Sequence, residues 1–274
     1  DIIYDQKYRH NLAIRRTVEA LIEGGKVDLE SERGQQLMTY AKKVWFARGV
    51  HHVDSTDKFL PEFPYEWFAE AVKALPAEKL PLLEGESKDD LLAKLKGPMF
   101  DSEVDPKGVN KAQGADPVAA SAANFYDPGV TAAEVEAFYT RMKDPKDDTP
   151  ISYGLNSKLV KEGGQLKEKV WKVGGMYGPA LERVVYWLEK AISVAENEEQ
   201  KKALEALVKY YRSGDLADFD AYNVLWVADT DSLVDTINGF IEVYGDAAAY
   251  RGSWEAVESF RDPVANEPIP APTE

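Results

Sequence analysis

The chain has 274 residues, 44% hydrophobic and 30% charged, with a formal net charge of −15 and no cysteine to form a disulfide or a thiolate metal site. It is too apolar for a disordered chain and long enough for one large domain or two modest ones. Its charge repels a phosphate backbone and no apolar run is long enough to span a bilayer, which excludes nucleic acid and membrane as main partners.

No stretch at the start reads as a signal peptide, which favours the cytoplasm and leaves the periplasm open. The first residue is Asp1 rather than Met, and the expectation is that residues upstream were removed or lie outside this chain.

From the N-terminus, a short extended piece at Ile2 leads into a helix. Leu12, Ile14, Val18, Leu21 and Ile22 supply its apolar positions, and Gly24-Gly25 stops it. Ser31 and Glu32 start a second helix with Leu37, Met38, Ala41, Val44 and Trp45 on its buried stripe. It ends near Gly49 and delivers Val50-His51-His52-Val53-Asp54. Adjacent histidines point apart in either regular structure, so His51 and His52 are poorly placed to share one ion, and a hydrogen-bonded structural role is the expectation.

Phe59–Pro64 is a rigid aromatic connector. Helices follow at Tyr65–Leu75 and Lys88–Leu95, then a long irregular stretch that is either functional or a surface excursion. Thr131 with Glu134 forms a capping box for a helix that Pro145 ends. Lys158–Glu162 and Gln165–Val173 flank Gly163-Gly164, the pair suited to a primed two-residue turn, so a β-hairpin is predicted there. Pro179 opens the clearest amphipathic helix, with Leu181, Val184, Val185, Leu188 and Ile192 at helical spacing. Further helices are predicted at Asn197–Tyr211, Asp215–Val227, Asp231–Asp246 and Trp254–Phe260.

The fold class expected is α+β, mostly helical, with helices around a small antiparallel β element near 158–173. The expected division is a helical part at 1–148, a hairpin-plus-helix part at 149–261 and a proline-rich tail at 262–274.

Within the predicted helix 231–246, Asp231, Asp235, Asn238 and Glu242 recur at i, i+4, i+7 and i+11. Such a stripe serves either as a solvated face or as a cleft wall that holds an ammonium group or a basic peptide. Gly239 in mid-helix costs about 1 kcal/mol, which tilts the balance slightly toward function.

Five segments carry a family resemblance: ISYGLNSKLV (151–160), KVWKVGGMYGPALERVVYWLEKA (169–191), VDTINGFIEVYGD (234–246), WFARGVHH (45–52) and KDPKDDTP (143–150). Together, over roughly Ile2–Phe260, they resemble bacterial dipeptidyl peptidase III. The resemblance implies a two-lobed zinc exopeptidase that removes dipeptides from peptide N-termini. One lobe would contain a β-barrel core with helices; the other would carry His-Glu-x-x-Gly-His and Glu-Glu-x-x-Arg-Ala. Gly239–Tyr244 matches the family's Gly-Phe-Ile-Glu-x-Tyr segment. By that match Glu242 resembles the carboxylate that holds the substrate's free amine. Tyr244 resembles the catalytic tyrosine that steadies the developing oxyanion. Asp235, Asn238, Tyr153 and Asn156, in the same matching segments, are the remaining substrate-binding candidates. Where the family follows the tyrosine with x-Asp-Pro, this chain has Gly245-Asp246-Ala247.

The zinc motif itself is absent, and the only histidines are His10, His51 and His52. A catalytic zinc typically needs about three protein ligands. The expectation is therefore a chain that binds short peptides with a free N-terminus and does not cut them alone. No cofactor is expected in this chain, and zinc only where a second chain supplies the lobe that holds it. The alternatives are a stand-alone non-catalytic peptide-binding or scaffold protein, and a metal-binding protein using His51, His52 and Asp54.

Overall fold

The computed structural model describes residues 1–265. It is mostly helical, with two small two-stranded antiparallel sheets. The chain divides into two compact units, the first of Asp1–Phe138, Val160–Gln165 and Tyr244–Ala249, the second of Tyr139–Leu159, Leu166–Val243 and Tyr250 onward.

In the first unit, α1 (Ile2–Lys7), α2 (Asn11–Glu23), α3 (Glu32–Ala47), α4 (Tyr65–Ala74) and α5 (Lys88–Phe100) enclose a core of side chains such as Ile14, Leu21, Leu37, Val44, Phe68 and Leu95. Each such burial is worth about 1.5–3 kcal/mol before entropy is charged. The start of the chain is helical rather than extended: Asp5 N donates to Asp1 O and Tyr8 N to Tyr4 O, both at 3.2 Å, and Ile2 and Tyr4 are buried. Ser31 caps α3 by accepting from Gly34 N at 3.1 Å, as its sequence implies. Ser87 and Asp90 cap α5 reciprocally, and the helix runs past Leu95 through Pro98 to Phe100. The aromatic connector is anchored by Phe63, which packs against Tyr40, Trp67, Phe68 and Phe100.

The irregular stretch after α5 is held by backbone hydrogen bonds. Lys58 N donates to Pro106 O at 3.0 Å, Gly108 N to Thr56 O at 2.8 Å and Asn124 N to Gln6 O at 2.8 Å. Val118, Ala122 and Phe125 from this stretch are buried. Next comes α6 (Ala132–Thr140), whose capping box forms: Thr131 N donates to Glu134 Oε2 at 3.0 Å, and Glu134 N to Thr131 Oγ1 at 3.3 Å.

The hairpin is β1 (Ser157–Glu162) and β2 (Gln165–Val170), joined by Gly163 and Gly164 at φ of 58° and 79°. Two consecutive positive φ values are what a primed turn demands. In the second unit, α7 (Gly178–Ile192), α8 (Glu198–Ser213) and α9 (Leu216–Ala228) pack in sequence order. Leu181, Val185 and Leu188, predicted on the apolar stripe of α7, are buried, as are Leu204, Leu207 and Tyr211 of α8.

The last two predicted helices are strands. β3 (Val234–Phe240) and β4 (Trp254–Phe260) form an antiparallel ribbon that pairs Val234 with Phe260 through to Phe240 with Trp254. Leu233, Ile237, Phe240, Ile241 and Tyr244 do fall at helical spacing. Val234, Thr236 and Ile237, however, are β-branched and the partner stretch is equally β-prone, so cross-strand packing overrides the helical period. A buried aromatic group fastens the ribbon: the Phe240 ring lies 4.7 Å from Trp171 and 5.2 Å from Trp254, which is 5.9 Å from Tyr211.

A buried charge organises the same unit. Arg251 is 0% exposed, and its Nη1 donates to Gly154 O at 2.7 Å and Ser157 Oγ at 2.8 Å. Glu168 Oε1 stands 3.5 Å from Nη1 and accepts from Ser157 Oγ and Tyr139 Oη, both at 2.6 Å. Gly154 must be glycine here: its φ is +86° and a Cβ would lie 2.5 Å from the guanidinium. The predicted tail lies mostly in 266–274, outside the described residues.

Candidate functional site

The polar stripe expected on a helix is dispersed by the ribbon. Alternate residues of a strand face opposite ways, so Asp235 and Asn238, three apart, project from opposite faces. Asp235 is exposed and accepts from Trp226 Nε1 at 2.8 Å. Asn238 is 9% exposed, and its Oδ1 accepts from Tyr211 Oη. Burial raises the Tyr211 hydroxyl's pKa well above its ordinary value, so it stays protonated and serves as a donor. Asp231 lies ahead of β3, where its carbonyl accepts from Arg261 Nη2 at 3.3 Å.

Glu242 follows β3, and the ladder explains its placement. Ile241 N donates to Ser253 O at 3.1 Å, whereas Ser253 N donates to Glu242 O at 2.9 Å. Residues 241 and 242 thus stand opposite a single residue, which is the arrangement of a β-bulge. A bulge bends the strand and re-aims the side chain at its end. The Glu242 carboxylate is exposed and meets no side chain or backbone donor among the described residues. Tyr244 belongs to the first unit and is 71% exposed.

The two candidates before the hairpin differ. Tyr153 is half-buried in the turn preceding β1. Asn156 is 3% exposed; its Nδ2 donates to Gly214 O at 2.9 Å and its carbonyl accepts from Trp171 N at 2.8 Å. Sequence reasoning missed that 254–260 is the partner strand, and with it the hydrogen bonds by which Trp226 and Tyr211 hold the candidate segment in place. A signal existed: two seven-residue β-prone runs flank a Gly- and Asp-containing connection.

The three histidines do not assemble into a metal site. His51 is buried, with Nε2 2.8 Å from Asp105 O and its ring edge-on to Tyr8 at 5.3 Å. His52 is exposed, and its Nδ1 accepts from Asp54 N at 3.2 Å. His10 packs edge-on against Tyr8 at 5.0 Å. Among the described residues no group of three His, Cys, Asp or Glu side chains is placed to hold an ion. The donors present do not fit a zinc centre.

The comparisons with known proteins agree on one family. The fold is similar to DPP III from Caldithrix abyssi, with a TM-score of 0.59 at 19% identity over 96% of this chain and 37% of that one. It is similar to dipeptidyl-peptidase III from Corallococcus sp. strain EGB, with a TM-score of 0.58 at 19% identity over 96% of this chain and 36% of that one. In sequence, dipeptidyl peptidase 3 of Dictyostelium discoideum is 23% identical over 247 residues, 84% of this chain and 34% of the relative. The Rattus norvegicus dipeptidyl peptidase 3 is 35% identical over 81 residues, 30% of this chain and 11% of the relative. The chain thus spans about a third of the length of the first of these curated relatives and of both solved structures. Residues 123–267, more than half of the chain, match the description "Peptidase family M49", and the chain belongs to that family.

Proposed function

We propose that this chain is the peptide-binding portion of a dipeptidyl peptidase III-like zinc metallopeptidase, one that removes dipeptides from peptide N-termini. The observation that carries the reading is the Glu242 carboxylate: exposed, without a donor among the described residues and set by a bulge at the end of an ordered ribbon. A carboxylate in that state accepts charge-assisted hydrogen bonds from a free α-ammonium group. Tyr244 is assigned the oxyanion-steadying role by its place in the family segment. Asp235, Asn238, Tyr153 and Asn156 act mainly by holding the ribbon and the turn before β1. The binding part spans 149–261. The zinc ligands come from residues outside this chain, so the chain alone binds peptide without hydrolysing it.

Calorimetric titration with a short peptide, once with a free N-terminus and once N-acetylated, tests the amine role. Glu242→Gln is expected to weaken the free-amine peptide roughly tenfold, about 1.4 kcal/mol, and to leave the acetylated one unchanged. Equal losses for both peptides reject the assignment. Native mass measurement reads the partner directly: a one-to-one complex with a second polypeptide supports a split enzyme, and an uncomplexed chain that still binds peptide removes that part of the proposal.

A further inference from the structure

Asn238–Gly239 is the only Asn–Gly step in the sequence. Glycine leaves the nitrogen that follows an asparagine unshielded, and that nitrogen is the nucleophile of deamidation. Gly239 N attacks Asn238 Cγ; the new C–N bond forms, the Cγ–Nδ2 bond breaks, and ammonia leaves with the proton of Gly239 N. Water then opens the resulting succinimide at either carbonyl. One product is aspartate. The other is isoaspartate, in which the backbone runs through the side chain and gains a methylene.

The closed ribbon opposes the attack in three ways. Arg261 N donates to Leu233 O at 2.7 Å and Ile241 N to Ser253 O at 3.1 Å, so the odd-numbered residues of β3 exchange hydrogen bonds with β4. Gly239, opposite Glu255, is one of them, and its nitrogen is tied into the ladder. Extended backbone, with ψ near about +135°, also turns that nitrogen away from the Asn238 side chain. The side chain itself is held: Asn238 is buried and its Oδ1 accepts from Tyr211 Oη.

The ribbon is weakest at one end. Two strands alone are marginal. β3 has supports beyond β4, since Glu196 accepts from Leu233 N and Val234 N, and Gln200 Nε2 donates to Val234 O, all at 2.8 Å. On β4, every residue from Ala256 to Phe260 is exposed. Glu258 accepts from Thr236 Oγ1 at 2.8 Å, an exposed contact that water replaces at little cost. The seat of Phe240 among Trp171 and Trp254 fastens only the opposite end. β4 therefore peels from Phe260, and an opening that reaches Glu255 frees the Gly239 nitrogen.

We propose that Asn238–Gly239 is a gated deamidation site: release of β4 brings Gly239 N to Asn238 Cγ, and the isoaspartate formed keeps the ribbon from closing in its original register. Every residue after 238 is then offset against β4, beginning with Phe240 in its seat. The reaction depends on the pairing of β3 with β4 and not on the role proposed for Glu242.

The full chain is incubated at mildly alkaline pH, natively and in urea, and isoaspartate at position 238 is followed by peptide mapping and mass spectrometry. The native rate should lie roughly tenfold to a hundredfold below the rate in urea, the ratio reporting the open fraction of the ribbon. Tyr211→Phe should raise the native rate roughly tenfold and leave the rate in urea unchanged. Gly239→Ala should keep the fold, since its Cβ would meet nothing closer than the Phe219 ring at 3.5 Å. Its methyl crowds the attacking nitrogen, so the reaction should slow roughly tenfold or more in both conditions. In the deamidated chain, isolated by ion exchange, the Ile241 amide should exchange roughly tenfold faster and the emission of Trp171 and Trp254 should shift. Asn238→Asp, which adds the charge without the methylene, should hold Ile241 protection within about threefold.

Equal native and urea rates overturn the gate, and so does a native chain free of isoaspartate when the urea sample has fully converted. An unchanged native rate in Tyr211→Phe removes the hold assigned to that hydroxyl. Unaltered Ile241 protection in the deamidated chain overturns the loss of register.

Discussion

Replacing Arg251 by methionine tests whether the buried guanidinium is the fastening of the second unit. Its Nη1 donates at 2.7 Å and 2.8 Å to two enclosed acceptors, Gly154 O and Ser157 Oγ, and it neutralises Glu168 at 3.5 Å. Each hydrogen bond from a charged donor is worth about 1.5–3 kcal/mol, and the methionine recovers part of the lost packing. Removing one partner of a buried pair costs about 3–5 kcal/mol, because the other charge is left unmatched, and the partial exposure of the Glu168 side chain, 23%, sets the expected loss at the lower end. We therefore expect Arg251→Met to lose about 3–4 kcal/mol in urea unfolding, followed by the fluorescence of Trp171 and Trp254. Glu168→Gln added to Arg251→Met should restore about 1–2 kcal/mol, since the orphaned carboxylate is gone. Glu168 keeps its donors Ser157 and Tyr139 at 2.6 Å, which is why recovery is partial. A loss below about 1 kcal/mol for Arg251→Met, or no recovery in the double variant, refutes this account.

Burial lowers the pKa of His51, against a smaller opposing effect of the Asp105 carbonyl, while Lys58 and Lys7 reinforce the lowering. The fold thus favours the neutral imidazole, and the unfolded chain takes up the proton first. Stability is fully present above the unfolded value near pH 6.5, and falls below it by at most about 1.4 kcal/mol per pH unit for this group. His51→Gln should flatten that acid-side fall in urea midpoints measured from pH 7.5 to 5; an unchanged slope counts against it. Thr131→Ala removes the cap of α6 and should cost about 1 kcal/mol by denaturant titration. A change within the error of the titration would mean that packing alone holds the helix end.

Local chemistry was readable wherever it acts over a few residues. The caps at Ser31 and Thr131 and the paired glycines of the hairpin need only neighbours within one turn, and each appears as read. The inward face of α7 follows from spacing alone. The stretch 231–246 defeated the same reasoning because Leu233, Ile237, Phe240, Ile241 and Tyr244 fall at helical spacing, and the strand at 234–240 rests on its pairing with 254–260. Glu242 kept its exposed position, but by a bulge rather than by a helical stripe.

The sequence by itself determined the family, the helical character of most of the chain and the lack of a zinc-binding motif, because motifs, caps and turns are written in contiguous residues. Only the tertiary structure decided that 234–240 is a strand, which needed 254–260 beside it and Phe240 seated among Trp171 and Trp254. It alone placed Arg251 next to Glu168 and brought Thr236 and Asn238 of β3 to a cavity they share with residues of α7. The physical reason is separation: these pairings join residues tens of positions apart, and their free energy exists only once the intervening chain has folded.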